Sequence, residues 1–320
     1  NYAFATSRIL AKLQADVIGQ IKRISEPGYY QTQLMWKYSM PFLPEIEKEY
    51  DVAISYLWPH DFVAKKVKAK SKIAWIHTDY STLNTKVNVD ISIWSKFDYI
   101  IAVSEACKKS FVTKYKSLSS KVLVIENIVS PDLIRKLAFE ELENPILDDT
   151  RFKIVTVGRL SYAKGIDNAI KTLKAIKDKG YSEIVWYVVG YGGDEEKLRK
   201  LIKTNNLQDS FFLLGKKVNP YPFIKAANLY VQPSRYEGKA VTVTEAMILG
   251  KAILITNYTT AQSQLNSGED GLICDMTIEG LTTGILKFYK NRSLLEELSM
   301  NIQLKNFNNR SELEKLYKII

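Results

Sequence analysis

The sequence predicts an α/β protein made of two Rossmann-like domains that face each other across a cleft. Three observations carry that expectation. The chain has 320 residues, long for one core and comfortable for two. Its apolar residues fall in short β-branched runs that alternate with amphipathic helical stretches, the pattern that right-handed βαβ crossovers produce. The composition, 46% hydrophobic and 25% charged, is that of an ordinary globular chain.

The second half shows the alternation cleanly. IVTVG (154–158), IVWYVVG (184–190), FFLLG (211–215), LYVQ (229–232), AILIT (252–256) and GLIC (271–274) read as strands. Residues 168–179, 195–203 and 241–249 carry helical spacing between them. This alternation implies a parallel sheet covered on both faces. The first half repeats the theme with DVAISYL (51–57), KIAWIH (72–77), DYIIAVS (98–104) and VLVIEN (122–127). The expected boundaries are 1–145 for one domain and 146–305 for the other, with a helix in 306–320 packing back on the first. FEELENPILDD (139–149), acidic and broken by proline, is the expected linker. The chain starts NYAFATSR, without an opening strand and Gly-rich loop.

Bulk properties exclude several classes. Cys107 and Cys274 lie far apart without CxxC spacing, which gives neither a disulfide framework nor a zinc site. No run approaches the roughly 18 apolar residues of a membrane span, and a cytoplasmic location is expected. GxGxxG, GxxxxGK[ST] and HExxH are all missing, against nicotinamide redox chemistry, P-loop hydrolysis and zinc proteolysis. The net charge of +10 points to an anionic partner. Nucleic acid is a weak candidate, because no reading motif or aromatic platform accompanies the charge.

In open parallel sheets, ligands bind beyond the carboxyl ends of the strands. After 154–158 come Gly158, Arg159 and Lys164 beside a helix start. That arrangement suits a diphosphate, although a salt-bridged or solvated pair is the plainer alternative. After 184–190, Gly192 and Gly193 permit a tight turn, and Asp194 suits a helix cap. After 229–232, Glu237 and Glu245 stand eight positions apart. Carboxylates there accept from sugar or ribose hydroxyls; a cap at Glu237 with a satisfied, half-buried Glu245 is equally compatible with the spacing. In the first domain, Ile9, Leu13, Val17 and Ile21 form an apolar helix stripe near Arg8, Lys12, Lys22 and Arg23. It would serve either as a core face or as a docking face for an anionic membrane.

Taken in order, these segments resemble the retaining nucleotide-sugar glycosyltransferases of family 4, which have the two-domain GT-B architecture. PSRYEGKAVTVTEAMILGKAILITN (233–257) is similar to the family's E-x7-E signature and GRLSYAKG (158–165) to its G-R-x-x-x-x-K-G element. VVGYGGDEEKL (188–198) resembles its G-x-G loop, and IAWIHTDYS (73–81) and FDYIIAVSEACK (97–108) its acceptor-domain elements. The likeness runs from Tyr50 onward, and against the family's plan, which opens on a strand and Gly-rich loop, the first domain is expected to be incomplete. It implies that Arg159 and Lys164 neutralise the donor diphosphate, Glu237 holds the donor sugar and Glu245 accepts from the ribose. Gly158, Gly192 and the backbone of Gly238, Lys239, Ala240 and Val241 would line the donor site, and His77 would face the sugar; His60 is left structural.

The implied reaction moves a hexose or N-acetylhexosamine from a nucleotide sugar, UDP- rather than GDP-linked, to a glycan or lipid-linked acceptor in cell-surface polysaccharide assembly. No metal or other cofactor is implied. Localisation would be cytoplasmic, peripheral on the inner face of the plasma membrane. A nucleotide-sugar isomerase or epimerase of the same fold is the alternative, and a nucleic-acid-binding protein a lesser one. Lys239 and Ala240 depart from the aromatic residue and proline frequent in the family, so sugar identity does not carry over.

Overall fold

The computed structural model describes residues 2–22, 28–141 and 146–320. Two compact units emerge, Asn1–Asn127 with Ser311–Ile320, and Ile128–Arg310.

The first unit begins with α1 (Tyr2–Lys22) and α2 (Gly28–Ser39), then continues through β1 (Glu49–Ser55), α3 (Asp61–Lys66), β2 (Lys68–Ile76), α4 (Val87–Trp94), β3 (Tyr99–Ala102), α5 (Glu105–Lys114) and β4 (Val122–Val124). The strands pair in sequence order, all parallel. Its core gathers Ile73, Ile76, Trp94, Phe97, Ile100 and Phe111. The C-terminal helix (Ser311–Tyr317) belongs to this unit, where Glu312 accepts from the Glu126 backbone N–H at 2.9 Å.

Helix α1 does not bury the stripe that the sequence makes prominent. Ile9, Leu13, Val17 and Ile21 are 55–76% exposed, whereas Ser7, Ala11 and Ala15 are buried. Small residues four apart let α2 pack close, and α1 and α2 are extensively in contact. The large side chains are left on the opposite face. Arg8 and Lys12 are exposed beside them; Arg23 and the Lys22 side chain lie outside the described residues.

The second unit comprises α6 (Pro131–Leu137), β5 (Phe152–Val157), α7 (Ile166–Asp178), β6 (Ile184–Val189), α8 (Glu195–Thr204), β7 (Phe211–Leu213), α9 (Tyr221–Ala226), β8 (Leu229–Gln232), α10 (Val241–Ile248), β9 (Ala252–Thr256), β10 (Leu272–Cys274), α11 (Ile278–Lys290) and α12 (Arg292–Gln303). Its sheet has the order β10-β9-β8-β5-β6-β7, parallel throughout. Every residue of β6, β8 and β9 is buried, as a sheet covered on both faces requires. Alternate residues feed opposite layers: Ile154, Trp186, Val231 and Leu254 face one core, and Val155, Tyr187, Tyr230 and Ile253 the other.

The expected boundary at 145/146 moves toward the N-terminus. Helix α6 packs on α9 and α10, and Asn219 Nδ2 donates to the Leu137 carbonyl at 2.8 Å. These contacts draw the chain from Ile128 onward into the second unit. Residues 142–145 of the expected linker lie outside the described residues.

Candidate active site

The second unit's strand order reverses between β5 and β8. The chain runs outward through β6 and β7, then returns to β8 on the other side of β5. Connections leaving those two neighbours diverge and open a crevice at their carboxyl ends. β5 delivers Gly158, Arg159 and Lys164 there, and β8 delivers Ser234, Arg235 and Glu237.

Lys164 and Glu237 meet. The Lys164 Nζ donates to both Glu237 carboxylate oxygens, at 2.6 and 2.7 Å. Glu237 Oε1 also accepts from Ser234 Oγ at 2.6 Å and Gln232 Nε2 at 3.1 Å. With 8% of Glu237 exposed, a carboxylate at this depth requires such partners. The Lys164 stem passes over Gly158, where an added Cβ would lie 3.6 Å from it, an ordinary van der Waals contact. Gly165 comes next with φ 65°, and a Cβ there would lie 2.0 Å from the Pro233 carbonyl oxygen. Backbone therefore touches backbone where the two strand-end loops pass. A Cβ at Gly192 would similarly come within 2.2 Å of the Leu160 carbonyl oxygen.

Glu237 is not a helix cap. Ala240 occupies that position, with no side-chain cap, and its N–H donates to Gln264 Oε1 at 3.2 Å while its carbonyl accepts from Gln264 Nε2. Thr260 Oγ1 donates to the Glu237 carbonyl at 3.0 Å. The loop from Glu237 through Gly238, Lys239 and Ala240 to Val241 is thus braced by side chains from beyond β9. Asp194 does stand at the N-cap of α8, but its side chain makes no capping hydrogen bond.

Glu245, on the second turn of α10, is half-buried and accepts from Tyr221 Oη at 3.0 Å. Burial pushes its carboxyl pKa up, against the opposing effect of that hydrogen bond. Gln232 extends the polar network, accepting from Tyr230 Oη at 2.7 Å and Thr242 Oγ1 at 3.4 Å. Arg159 is exposed at the crevice.

The histidines belong to the first unit. His77, just past β2, is half-buried and sets its ring edge-on to Tyr56 at 4.6 Å. Its Nε2 is buried with no hydrogen-bond partner, and burial lowers its pKa, partly offset by a backbone hydrogen bond at Tyr56. His60 is a core residue, 1% exposed. Its Nδ1 lies 2.7 Å from Ser55 Oγ, and its ring packs on Trp94 and Phe97.

Gln232, Ser234, Arg235, Thr260 and Gln264 are the site's supports that sequence reasoning missed. Only PSRYE, which ends on the expected Glu237, offered a signal for two of them, Ser234 and Arg235.

An all-parallel Rossmann unit with a lysine–glutamate pair at its switch point, and a second parallel α/β unit, define a protein of the GT-B fold class. The chain belongs to the family described as Glycosyl transferases group 1, whose pattern residues 139–319 match. It is 32% identical over 171 residues to an uncharacterized glycosyltransferase of Methanocaldococcus jannaschii, aligning 52% of this chain with 42% of that one. It is 29% identical over 211 residues to the capsular polysaccharide biosynthesis glycosyltransferase CapM of Staphylococcus aureus, covering 63% of this chain and 55% of CapM. The chain thus spans about half the length of these relatives. Among solved structures, Anabaena HepE in complex with UDP-glucose superposes with a TM-score of 0.68 at 17% identity, over 78% of this chain and 72% of that one.

Proposed function

We propose that the protein is a retaining glycosyltransferase of the family 4 type, moving a hexose or N-acetylhexosamine from a UDP-sugar to a glycan or lipid-linked acceptor in surface polysaccharide assembly. The observation that carries this reading is the contact of Lys164 with Glu237 at the switch point. A cation and a carboxylate held side by side match the two ends of an activated sugar, whose diphosphate needs positive charge and whose hydroxyls need acceptors. CapM acts in capsular polysaccharide biosynthesis by its description, and HepE binds UDP-glucose; both support the substrate class.

Cleavage of the sugar–phosphate bond develops negative charge on the departing diphosphate. Lys164 and Arg159, placed before the reaction, stabilise that charge more than the ground state and so lower the barrier. In this reading they do so without a metal. Glu237 orients the sugar through its hydroxyls, the loop from Gly238 to Val241 lines the donor, and Glu245 accepts from the ribose beside Tyr221. The leaving phosphate oxygen takes the acceptor hydroxyl's proton on the face it vacates, and the acceptor oxygen bonds to the same face. Retention then results without a protein nucleophile. His77 keeps the role that the resemblance implies for it, and burial lowers its pKa, which favours the neutral ring. The exposed stripe and cations of α1 suit an anionic membrane that presents the acceptor.

Transfer from a panel of UDP-sugars, with the product anomer read by NMR, tests this. Glu237→Gln and Lys164→Ala should each cost about 100-fold or more in kcat, the scale of losing one preorganised charge. Wild-type rates in both variants would remove the site assignment, and an inverted anomer would remove retention.

A further inference from the structure

We propose that Arg235 is a positioning residue, a clasp that fixes where Lys164 stands; the role rests on the reading of Lys164 as a diphosphate ligand. Arg235 grips the chain on both sides of that lysine. Its backbone N–H donates to the Ala163 carbonyl at 2.8 Å, and its Nη1 donates to the Tyr162 carbonyl at 2.7 Å. Beyond Lys164, Nη1 and Nη2 form a bidentate pair with Asp167 Oδ1 and Oδ2, both at 2.8 Å. Nη2 also reaches Asn168 Oδ1 at 3.2 Å. The guanidinium lies 4.1 Å from the centroid of the Tyr162 ring.

The pair is shielded, with 16% of the Arg235 side chain and 20% of Asp167 exposed. Burial opposes the Asp167 charge, but the hydrogen bonds and charge of Arg235 outweigh it and hold Asp167 below its usual carboxylate range. A planar fork meeting a carboxylate in two places fixes direction as well as distance, which a lysine does not reproduce.

Two residues after Arg235 the same loop presents Glu237 to the Lys164 ammonium. Residues 233–237 therefore hold the backbone of 162–168 and also its functional side chain. Were the Lys164–Glu237 ion pair the only tie, withdrawing the ammonium toward a phosphate would loosen the loop. With the clasp, the lysine changes partners while its Cα stays in place. Displacement of a charged group by about 1 Å costs on the order of 100-fold in a preorganised site, so the clasp acts on the reaction through Lys164.

A binding cycle on the intact chain tests the role. Calorimetric titration with whichever of UDP, GDP and ADP binds tightest is run on wild type, Arg235→Ala, Arg235→Lys, Lys164→Ala and the Arg235→Ala/Lys164→Ala double variant. Thermal melting confirms that each is folded. Arg235→Ala should weaken binding about 10-fold when Lys164 is present and less than 2-fold when it is already alanine. Arg235→Lys should not restore affinity. Asp167→Asn, which keeps the shape and removes the charge, should weaken binding in the same Lys164-dependent way and serves if Arg235→Ala does not fold.

Equal weakening in both backgrounds would mean that Arg235 only supports the fold, and wild-type affinity in Arg235→Ala would mean that it does nothing here; either overturns the clasp and leaves the donor reading standing. Undiminished binding in Lys164→Ala, or no binding of any of the three nucleotides by wild type, would overturn the diphosphate reading itself and the clasp with it.

Discussion

At Gly165 the backbone has φ 65°, and the place of a Cβ is taken by the Pro233 carbonyl oxygen 2.0 Å away. Alanine in that left-handed region costs about 1–2 kcal/mol, and the overlap forces apart the seam that brings Lys164 to Glu237. Gly165→Ala should lower the melting temperature of the second unit by about 5 °C and weaken nucleotide binding together; melting and binding unchanged from wild type would contradict the seam. GRLSYAKG and PSRYEG drew Lys164 and Glu237 out of the sequence through their likeness to family elements, but not the contact between them. The contacts of Arg235, Thr260 and Gln264 were equally hidden. Their partners lie 68, 23 and 24 positions away along the chain, and no local pattern records a contact made by the crossing of two loops.

Elements were easier to read than contacts, and for one helix the sequence left open which face is buried. LYVQ and AILIT coincide with β8 and β9 residue for residue, because a fully buried parallel strand is a continuous apolar run ended by turn residues. Strands of the first unit shift by a few residues: β2 starts at Lys68, not Lys72, since its exposed N-terminal lysines hide the strand signal while its pairing with β1 still extends there. In α1 the rule that large apolar residues face the core fails. The seam with α2 is built from Ser7, Ala11 and Ala15, and Ile9, Leu13, Val17 and Ile21 face outward. An exposed apolar row of this extent beside Arg8 and Lys12 adsorbs best where lipid headgroups are anionic. In flotation, the chain should rise with anionic vesicles and stay down with neutral ones, and Leu13→Glu/Val17→Glu should stay down with both. Equal recovery with both lipids, or no effect of the double substitution, would contradict membrane docking by α1.

Across the whole molecule, the histidine part of the response to mild acid should come from one unit, because the chain has two histidines and both lie in the first. The pKa of His60 falls to about 3, through burial first and then the nearby charge of His77, against a backbone hydrogen bond at Trp75. In the unfolded chain the same ring titrates near 6.5. Below that pH the unfolded state binds a proton that the folded state refuses, so stability present above about 6.5 is lost as pH falls toward 3. The slope is at most about 1.4 kcal/mol per pH unit, or about 2 kcal/mol between pH 6.5 and 5. His77, with its pKa also lowered by burial, adds in the same direction. Asp61 and Asp90 in the same unit work the other way, since burial raises their pKa and protonation relieves them. A difference measurement separates these contributions. His60→Phe keeps a ring against Trp94 and Phe97 and removes the titration, at a pH-independent cost from the lost Ser55 contact. In denaturant unfolding monitored through first-unit tryptophans, the stability gap between wild type and His60→Phe should shrink or reverse as pH drops from 7 to 5. A gap that stays constant over that range would mean that His60 takes up its proton inside the fold.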